Sequence, residues 1–124
     1  MILGIGTDLV AVARIARVLK RNPRFVEKVF SGREQEYCNK KANPAQSYAA
    51  RFAAKEAVMK ALGTGWDKGI SFVQIEVIPQ ISGKPEIELS GAAKAYAESL
   101  GIRQIHLSLS HESEYAAANV VLEK

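Results

Sequence analysis

The spacing of hydrophobic residues predicts a chain that mixes strands with helices. Near both ends apolar residues alternate in steps of two, as in strands, whereas much of the middle shows the three-and-four spacing of helices. Strands are predicted at 2–10, 70–78, 86–89, 105–110 and 115–122, with the last four forming two hairpins. The basic segment 14–24 is predicted to be helical, and a second helix is predicted to begin at 22–23. Further helices are predicted at 31–43, 46–62 and 90–100. This order predicts one α+β domain over residues 1–124.

Several helix ends carry recognisable signals. Pro23 suits the first turn of a helix, and Ser31 with Glu34 has the spacing of a capping box. Gly63 suits the left-handed cap position after the long helix 46–62. Ser90 suits the N-cap position of the last predicted helix, 90–100.

The first apolar run, residues 2–10, is predicted to be a buried strand that carries an acidic residue. Alternation places Asp8 on the same face as Gly4 and Gly6, so that face has little side-chain volume. Glycine in a strand often marks close approach by another backbone or by a ligand. Asp8 could instead cap the turn or helix that follows.

Glu56 lies on the long predicted helix, where a helical wheel turns it toward an apolar arc that includes Phe52 and Met59. A buried carboxylate needs a counter-ion or a metal. Lys60 shares this face, so a simple surface pair one turn apart is the alternative. Together with Asp8, Glu56 would supply the two carboxylates that Mg²⁺ commonly takes beside phosphate and water.

The strand predicted at 105–110 ends in two polar residues, Ser110 and His111. A histidine at a strand end is more often a surface or turn residue than a catalytic one, so His111 alone indicates little.

The segment 14–24 is strongly basic and contains no acidic residue. It carries Arg14, Arg17, Lys20, Arg21 and Arg24 beside an apolar stripe at helical spacing. Three interpretations fit such a helix: a solvated surface, a nucleic-acid contact or an acidic protein partner. Nucleic acid is disfavoured because no aromatic residues are interleaved for base stacking.

Composition fits a soluble globular protein, with 48% hydrophobic and 24% charged residues and a net charge of +4. No apolar run reaches the length of a membrane span, and the first run lacks a basic leader, so we expect neither membrane insertion nor a signal peptide. Cys38 is the one cysteine of the sequence, so we expect it to pack in the structure rather than to act as a reactive or metal-binding thiol. The absence of a second cysteine also favours a reducing, cytoplasmic compartment.

Motifs spread along the whole chain resemble those of one family, the short bacterial holo-acyl-carrier-protein synthases, which are 4′-phosphopantetheinyl transferases. The matching segments are Gly4-Ile5-Gly6-Thr7-Asp8, Arg51-Phe52-Ala53-Ala54-Lys55-Glu56-Ala57, Lys60-Ala61-Leu62-Gly63-Thr64-Gly65, Gly83-Lys84-Pro85, Ser110-His111 and Tyr115-Ala116-Ala117-Ala118. The block around Glu56 is highly specific, whereas Gly-Lys-Pro alone is weak. Longer relatives have an acidic residue where this chain has Val10, which implies two protein carboxylates at the metal.

The resemblance implies a small antiparallel sheet packed on a long central helix, and Mg²⁺-dependent transfer of phosphopantetheine from coenzyme A to a serine of acyl carrier protein, a step that supports fatty acid synthesis. Asp8 and Glu56 would hold the metal, and Lys60 would act with them in catalysis. Glu56, directly or through a metal-bound water, is the candidate base. The implied coenzyme contacts are Arg51, Lys60, Gly63, Lys84, Pro85, Ser110 and His111, and the implied carrier contacts are Arg14, Arg21 and Arg24. A homotrimer with sites between subunits is also implied.

Two other classes use the same features differently. A small RNA-binding module would use the basic helix and ignore the carboxylates. A Mg²⁺-dependent nucleotide hydrolase would use the carboxylates but turn over coenzyme A without a carrier protein.

Overall fold

A computed structural model describes residues 1–65 and 68–124, and its elements follow the predicted order. The strands are β1 (Ile2–Ala11), β2 (Ile75–Pro79), β3 (Pro85–Leu89), β4 (Gln104–His111) and β5 (Tyr115–Glu123). The helices are α1 (Val12–Arg21), α2 (Pro23–Val29), α3 (Gly32–Asn39), α4 (Pro44–Leu62) and α5 (Gly91–Ser99), with a 3₁₀-helix at Phe72–Gln74.

The strands of this part of the chain form two antiparallel sheets, one ordered β1-β5-β4 and the other a β2-β3 hairpin. The central helix α4 packs against β1 and β5 and is buried along most of its length. This arrangement confirms the predicted α+β class and the packing of a small antiparallel sheet on one long helix. None of the described helices is both long and apolar enough to cross a membrane.

The glycine face of β1 packs directly on the backbone of α4. A side-chain carbon added to Gly6 would overlap the carbonyl oxygen of Ala57, and one added to Gly4 would overlap that of Ala61. The two glycines therefore allow the backbone of α4 to approach β1 closely. Of the two predicted explanations for them, another backbone or a ligand, the first is correct. Asp8 follows on the same strand face and is brought against α4.

The opposite face of β1 differs from the prediction of a buried strand. Leu3, Ile5 and Leu9 are 40%, 71% and 65% exposed. The prediction of full burial was wrong because α4 covers only one face of this three-stranded sheet, and hydrophobic residues on both faces cannot all reach it. This exposed side is called the outer face of β1 below.

Several element boundaries also shifted. The strand predicted at 70–78 begins only at Ile75, because Ser71 and Gln74 form a capping box around the 3₁₀-helix. Helix α3 ends at Asn39 rather than near residue 43, and α4 begins at Pro44, two residues early. Ser90 precedes α5 but makes no side-chain cap; the Gln74 side chain accepts from Ala93 N–H instead.

Glu34 has a second role that the sequence did not reveal. The predicted capping box with Ser31 is present, but the Glu34 carboxylate is also buried against Lys55, with 2.7 Å between Oε1 and Nζ. Both side chains are 0% exposed. The ion pair joins α3 to α4 inside the core.

Cys38 lies in the core, as its assignment to packing predicted. The residue is 0% exposed, and burial is the main cause that raises the pKa of its thiol to about 11.

We expect Gly6→Ala to destabilise the fold by about 1–3 kcal/mol, because the added methyl group meets backbone that cannot move aside easily. Gly32→Ala is the matched control, since nothing lies within 4 Å of a side-chain carbon at that position. Its effect should stay within about 0.5 kcal/mol. Urea denaturation of both variants measures the difference, and equal midpoints would contradict the proposed β1–α4 contact.

We expect the Cys38 thiol to resist modification in the native protein at pH 8, because it is buried and its pKa near 11 keeps it protonated. With about one molecule in 10³ or fewer unfolded, a chromogenic disulfide reagent should react about 10³-fold more slowly than in denaturant. Rapid reaction of one equivalent without denaturant would show that Cys38 is accessible.

Candidate functional site

Asp8 and Glu56 come together where β1 crosses α4. The Asp8 side chain is 14% exposed, and Glu56 is partly buried. Burial is the main cause that raises the pKa of Glu56, and the negative charge of Asp8 raises it further. The charges of Lys60 and Arg14 oppose this rise. The structure thus brings both predicted carboxylates and two cations into one electrostatic cluster.

Lys60 binds Asp8 rather than the partner suggested by helical spacing. Its Nζ lies 3.0 Å from Asp8 Oδ1 and donates to the Thr7 carbonyl at 3.0 Å. The alternative of a surface pair between Lys60 and Glu56 was therefore wrong. Because β1 lies against the same face of α4, Lys60 reaches Asp8 on that strand instead. The Lys60 side chain remains 53% exposed, so its charge also faces solvent.

The donor set at this cluster suits Mg²⁺. Asp8 and Glu56 supply hard carboxylate oxygens from two separate elements, and Mg²⁺ commonly takes one or two carboxylates together with water and phosphate oxygens. Among the described residues no three acidic, histidine or cysteine side chains form a cluster for a metal ion. A metal held by these two carboxylates would keep positions for water and substrate oxygens.

Glu56 also lines the wall of a cleft of about 830 Å³. The apolar part of this cleft includes Phe25, Phe52 and Phe72, while Arg14 and Arg24 contribute positive charge. Arg14 extends over the Phe52 ring, with its guanidinium carbon 5.8 Å from the ring centroid. Two of the three predicted carrier contacts therefore share a cleft with the predicted base, and the third, Arg21, is exposed at the end of α1.

A second pocket, of about 170 Å³, gathers Arg51, Pro85 and His111 beside Tyr37. Arg51 is only 5% exposed, and the described residues provide no hydrogen-bond partner for its buried Nε and no carboxylate for its charge. Its guanidinium carbon lies 4.1 Å from the centroid of the Tyr37 ring. A buried guanidinium without a carboxylate favours binding of an anion from outside the chain.

The remaining predicted coenzyme contacts are spread over the end of β4, a groove beside Pro85 and the C-terminal end of α4. His111 Nδ1 is 3.1 Å from Gln46 Oε1, which ties the end of β4 to the start of α4. Ser110 is exposed beside it. Lys84 lines a neighbouring groove together with Pro85, and Gly63 is the left-handed cap of α4 with a φ of 75°.

Within one chain the two pockets open on different sides of α4. Arg51 and Glu56 are five positions apart, which corresponds to about 140° around a helix and about 7.5 Å along it. The second pocket, called the anion pocket below, and the carboxylate cluster are consequently separate within the chain.

Sequence reasoning missed Tyr37, which stacks on Arg51, and the aromatic wall made by Phe25 and Phe72. No local signal marks these residues, since their roles depend on which elements pack against α4. Lys55 was missed for the same reason, although a lysine in a run of alanines on a buried helix face was a visible anomaly.

Comparisons with known proteins match almost the whole chain to one family. Residues 4–120 match the family model of the 4′-phosphopantetheinyl transferase superfamily. A holo-[acyl-carrier-protein] synthase of Koribacter versatilis is 46% identical over 124 residues, covering 99% of both proteins. One from Ruminiclostridium cellulolyticum is 51% identical over 120 residues, covering 95% of this chain and 90% of the relative.

Solved structures show the same similarity. The holo-[acyl-carrier-protein] synthase of Neisseria meningitidis matches with a TM-score of 0.91 at 38% identity, and the match covers 100% of each chain. The enzyme of Bacillus anthracis, solved in complex with coenzyme A (3′,5′-ADP), matches with a TM-score of 0.83 at 38% identity, covering 100% of this chain and 98% of the other.

Proposed function

The chain belongs to the 4′-phosphopantetheinyl transferase superfamily as a holo-acyl-carrier-protein synthase type of transferase, and we propose the following reaction for it. The protein transfers 4′-phosphopantetheine from coenzyme A to a serine of apo acyl carrier protein, with Mg²⁺ as cofactor. The products are holo carrier protein and adenosine 3′,5′-bisphosphate. The observation that carries this proposal is the Asp8, Glu56 and Lys60 cluster at the wall of a basic-rimmed cleft.

The chemistry requires a new bond between the serine oxygen and phosphorus and loss of the bond to the bisphosphate. Asp8 and Glu56 would hold Mg²⁺, which when bound would neutralise the phosphate oxygens of coenzyme A. Glu56 accepts the serine proton, directly or through a metal-bound water, because it is the carboxylate of the cluster that lines the cleft. Lys60, with an exposed ammonium group, balances the charge that develops on the leaving bisphosphate.

The second pocket supplies the nucleotide site in this proposal. Arg51 and His111 bind coenzyme phosphate, and Pro85 packs against the nucleotide, with Ser110 and Lys84 around them. Gly63, at the C-terminal end of α4, is proposed as a further coenzyme contact. The buried, carboxylate-free guanidinium of Arg51 supports this assignment. The complexes of the Bacillus anthracis and Helicobacter pylori relatives with coenzyme A support the ligand class.

The basic side of the cleft receives the carrier protein. Arg14 and Arg24 line the same cleft as Glu56, so an acidic helix bound there would bring its serine close to the base. Arg21 extends the positive surface along α1. Binding to an acidic partner is favoured over a merely solvated surface because the charges surround a cleft rather than stand alone.

We also propose a homotrimer with active sites between subunits, acting in the cytoplasm. The outer face of β1 supports assembly, because a strand with Ile5 and Leu9 more than half exposed leaves an apolar patch that a second subunit can cover. Contact between subunits would also unite the two pockets that lie on different sides of α4 in one chain.

Removing either metal carboxylate tests the reaction. With coenzyme A and Mg²⁺ present, the wild-type protein should add a phosphopantetheine mass to apo acyl carrier protein. Asp8→Ala and Glu56→Ala should each lower the transfer rate by at least about 10²–10³-fold, and together little more, since they serve one ion. The matched control, Glu36→Ala, removes an exposed carboxylate that pairs with Lys40 and should retain the wild-type rate. Turnover of coenzyme A without a carrier would indicate a hydrolase.

Charge reversal on α1 tests the carrier surface. Arg14→Glu combined with Arg21→Glu should raise the KM for the carrier and leave coenzyme A binding unchanged, because these arginines act on encounter and orientation. Added salt should have the same effect on the wild type. Lys94→Glu, an exposed reversal on α5, is the control. Carrier kinetics that respond equally to both changes would exclude a specific role for α1.

A single charge on the outer face of β1 tests assembly. Ile5→Lys should dissociate the trimer into smaller species, because a lysine buried between subunits would lack a partner. Light scattering after size exclusion measures the mass. Ile81→Lys, at a fully exposed residue on the β2-β3 turn, should leave the mass unchanged. A monomeric wild type, or a trimer that tolerates Ile5→Lys, would contradict the proposed interface.

A further inference from the structure

Lys55 is a charged residue in the middle of the core, directly before the proposed base. Its Nζ lies 2.7 Å from Glu34 Oε1 and donates to the carbonyl oxygens of Phe72 at 3.0 Å and Ile75 at 2.6 Å. The ammonium therefore has three acceptors, which matches its three N–H donors. Nothing in the reaction above uses this group.

The acceptors of Lys55 belong to the elements that border the cleft. Phe72 lines the cleft, and Ile75 begins β2 immediately after the 3₁₀-helix. Glu34 accepts from Ser31 N–H at 3.0 Å through Oε1 and from Val77 N–H at 2.8 Å through Oε2. One buried network thus links α3, α4 and the chain segment 72–77.

The chemistry of the pair argues for a geometric role. Removing two charges from water is expensive, and apolar residues of similar volume often stabilise a core equally well or better. Burial lowers the pKa of Lys55, while the Glu34 carboxylate and, less strongly, the charge of Glu76 oppose that effect. An apolar pair would lack the hydrogen bonds from α4 to the carbonyl oxygens of Phe72 and Ile75.

We propose that Lys55 is a positioning residue for the transfer reaction. By binding the Phe72 and Ile75 carbonyls, it fixes the turn of α4 that carries Glu56 relative to the segment that contributes Phe72 to the cleft. This inference rests on the proposed function, because it assigns Glu56 as the base. A general base must lie within hydrogen-bond reach of its proton, so a small displacement of this turn lowers kcat.

Two variants of the same network separate positioning from stability. Lys55→Met keeps most of the length of the side chain but loses all three bonds. Glu34→Gln removes the buried counter-charge but leaves the Lys55 amino group able to donate to both carbonyls, so it serves as the matched control for lost stability. Thermal unfolding, kcat, the KM for coenzyme A and the Mg²⁺ concentration for half-maximal rate are measured for each, at a temperature where both are folded.

The positioning role predicts that Lys55→Met lowers kcat by about 10²-fold, a loss typical of a misplacement near 1 Å, with a smaller change in the KM for coenzyme A. Glu34→Gln should retain most of kcat even though it also unfolds at a lower temperature. A folded Lys55→Met protein with wild-type kcat would overturn the proposal. So would losses of kcat that follow the loss of thermal stability in both variants. If Lys55→Met does not fold, the Lys55→Met and Glu34→Gln double variant, which lacks the unpaired charge, is judged by the same criteria.

Hydrogen exchange read by mass spectrometry provides a test that does not depend on activity. Amides of 71–76 and of the α4 turn around Glu56 should exchange faster in Lys55→Met than in Glu34→Gln. Equal exchange in the two variants would overturn the positioning role. A wild-type protein that fails to modify any carrier would count against the proposed function, while the exchange result would still decide the role of Lys55.

Discussion

The structure depends on the close contact between the glycine face of β1 and the backbone of α4. At Gly4 and Gly6 a side chain would overlap the backbone of Ala61 and Ala57. The glycines therefore allow the backbones of the strand and the helix to come into direct contact. That approach carries Asp8 to the same side of α4 as Glu56 and allows Lys60 to reach the Asp8 carboxylate at 3.0 Å. The candidate metal site is therefore a consequence of small residues on both elements.

Helix α4 organises the rest of the molecule because different sides of it meet different partners. One side meets the sheet and forms the carboxylate cluster, another presents Arg51 to the anion pocket, and Lys55 connects it internally to α3 and the cleft wall. The chain has an uncovered apolar face on β1 and two pockets that, in the proposed reaction, act together. The proposed association of subunits would cover the first and unite the second.

Local sequence signals predicted much of the fold and part of the site. The capping box at Ser31, the left-handed cap at Gly63 and the alternation around Asp8 each depend on neighbouring residues and were confirmed. Features that depend on tertiary contacts were not predictable in this way. The partner of Lys60 is decided by where β1 crosses α4, and the Glu34–Lys55 pair joins helices that are far apart in sequence. The family resemblance supplied roles for residues whose local pattern was uninformative, such as His111.

The most direct test of the account is whether Asp8 and Glu56 hold one metal ion together. Mn²⁺ can replace Mg²⁺ at oxygen-rich sites and is visible by anomalous scattering. In crystals grown with coenzyme A and Mn²⁺, we predict a single anomalous peak in contact with both carboxylates and with phosphate oxygen. A coenzyme-bound structure in which the metal contacts neither carboxylate, or only one while the other faces away, would contradict the central claim.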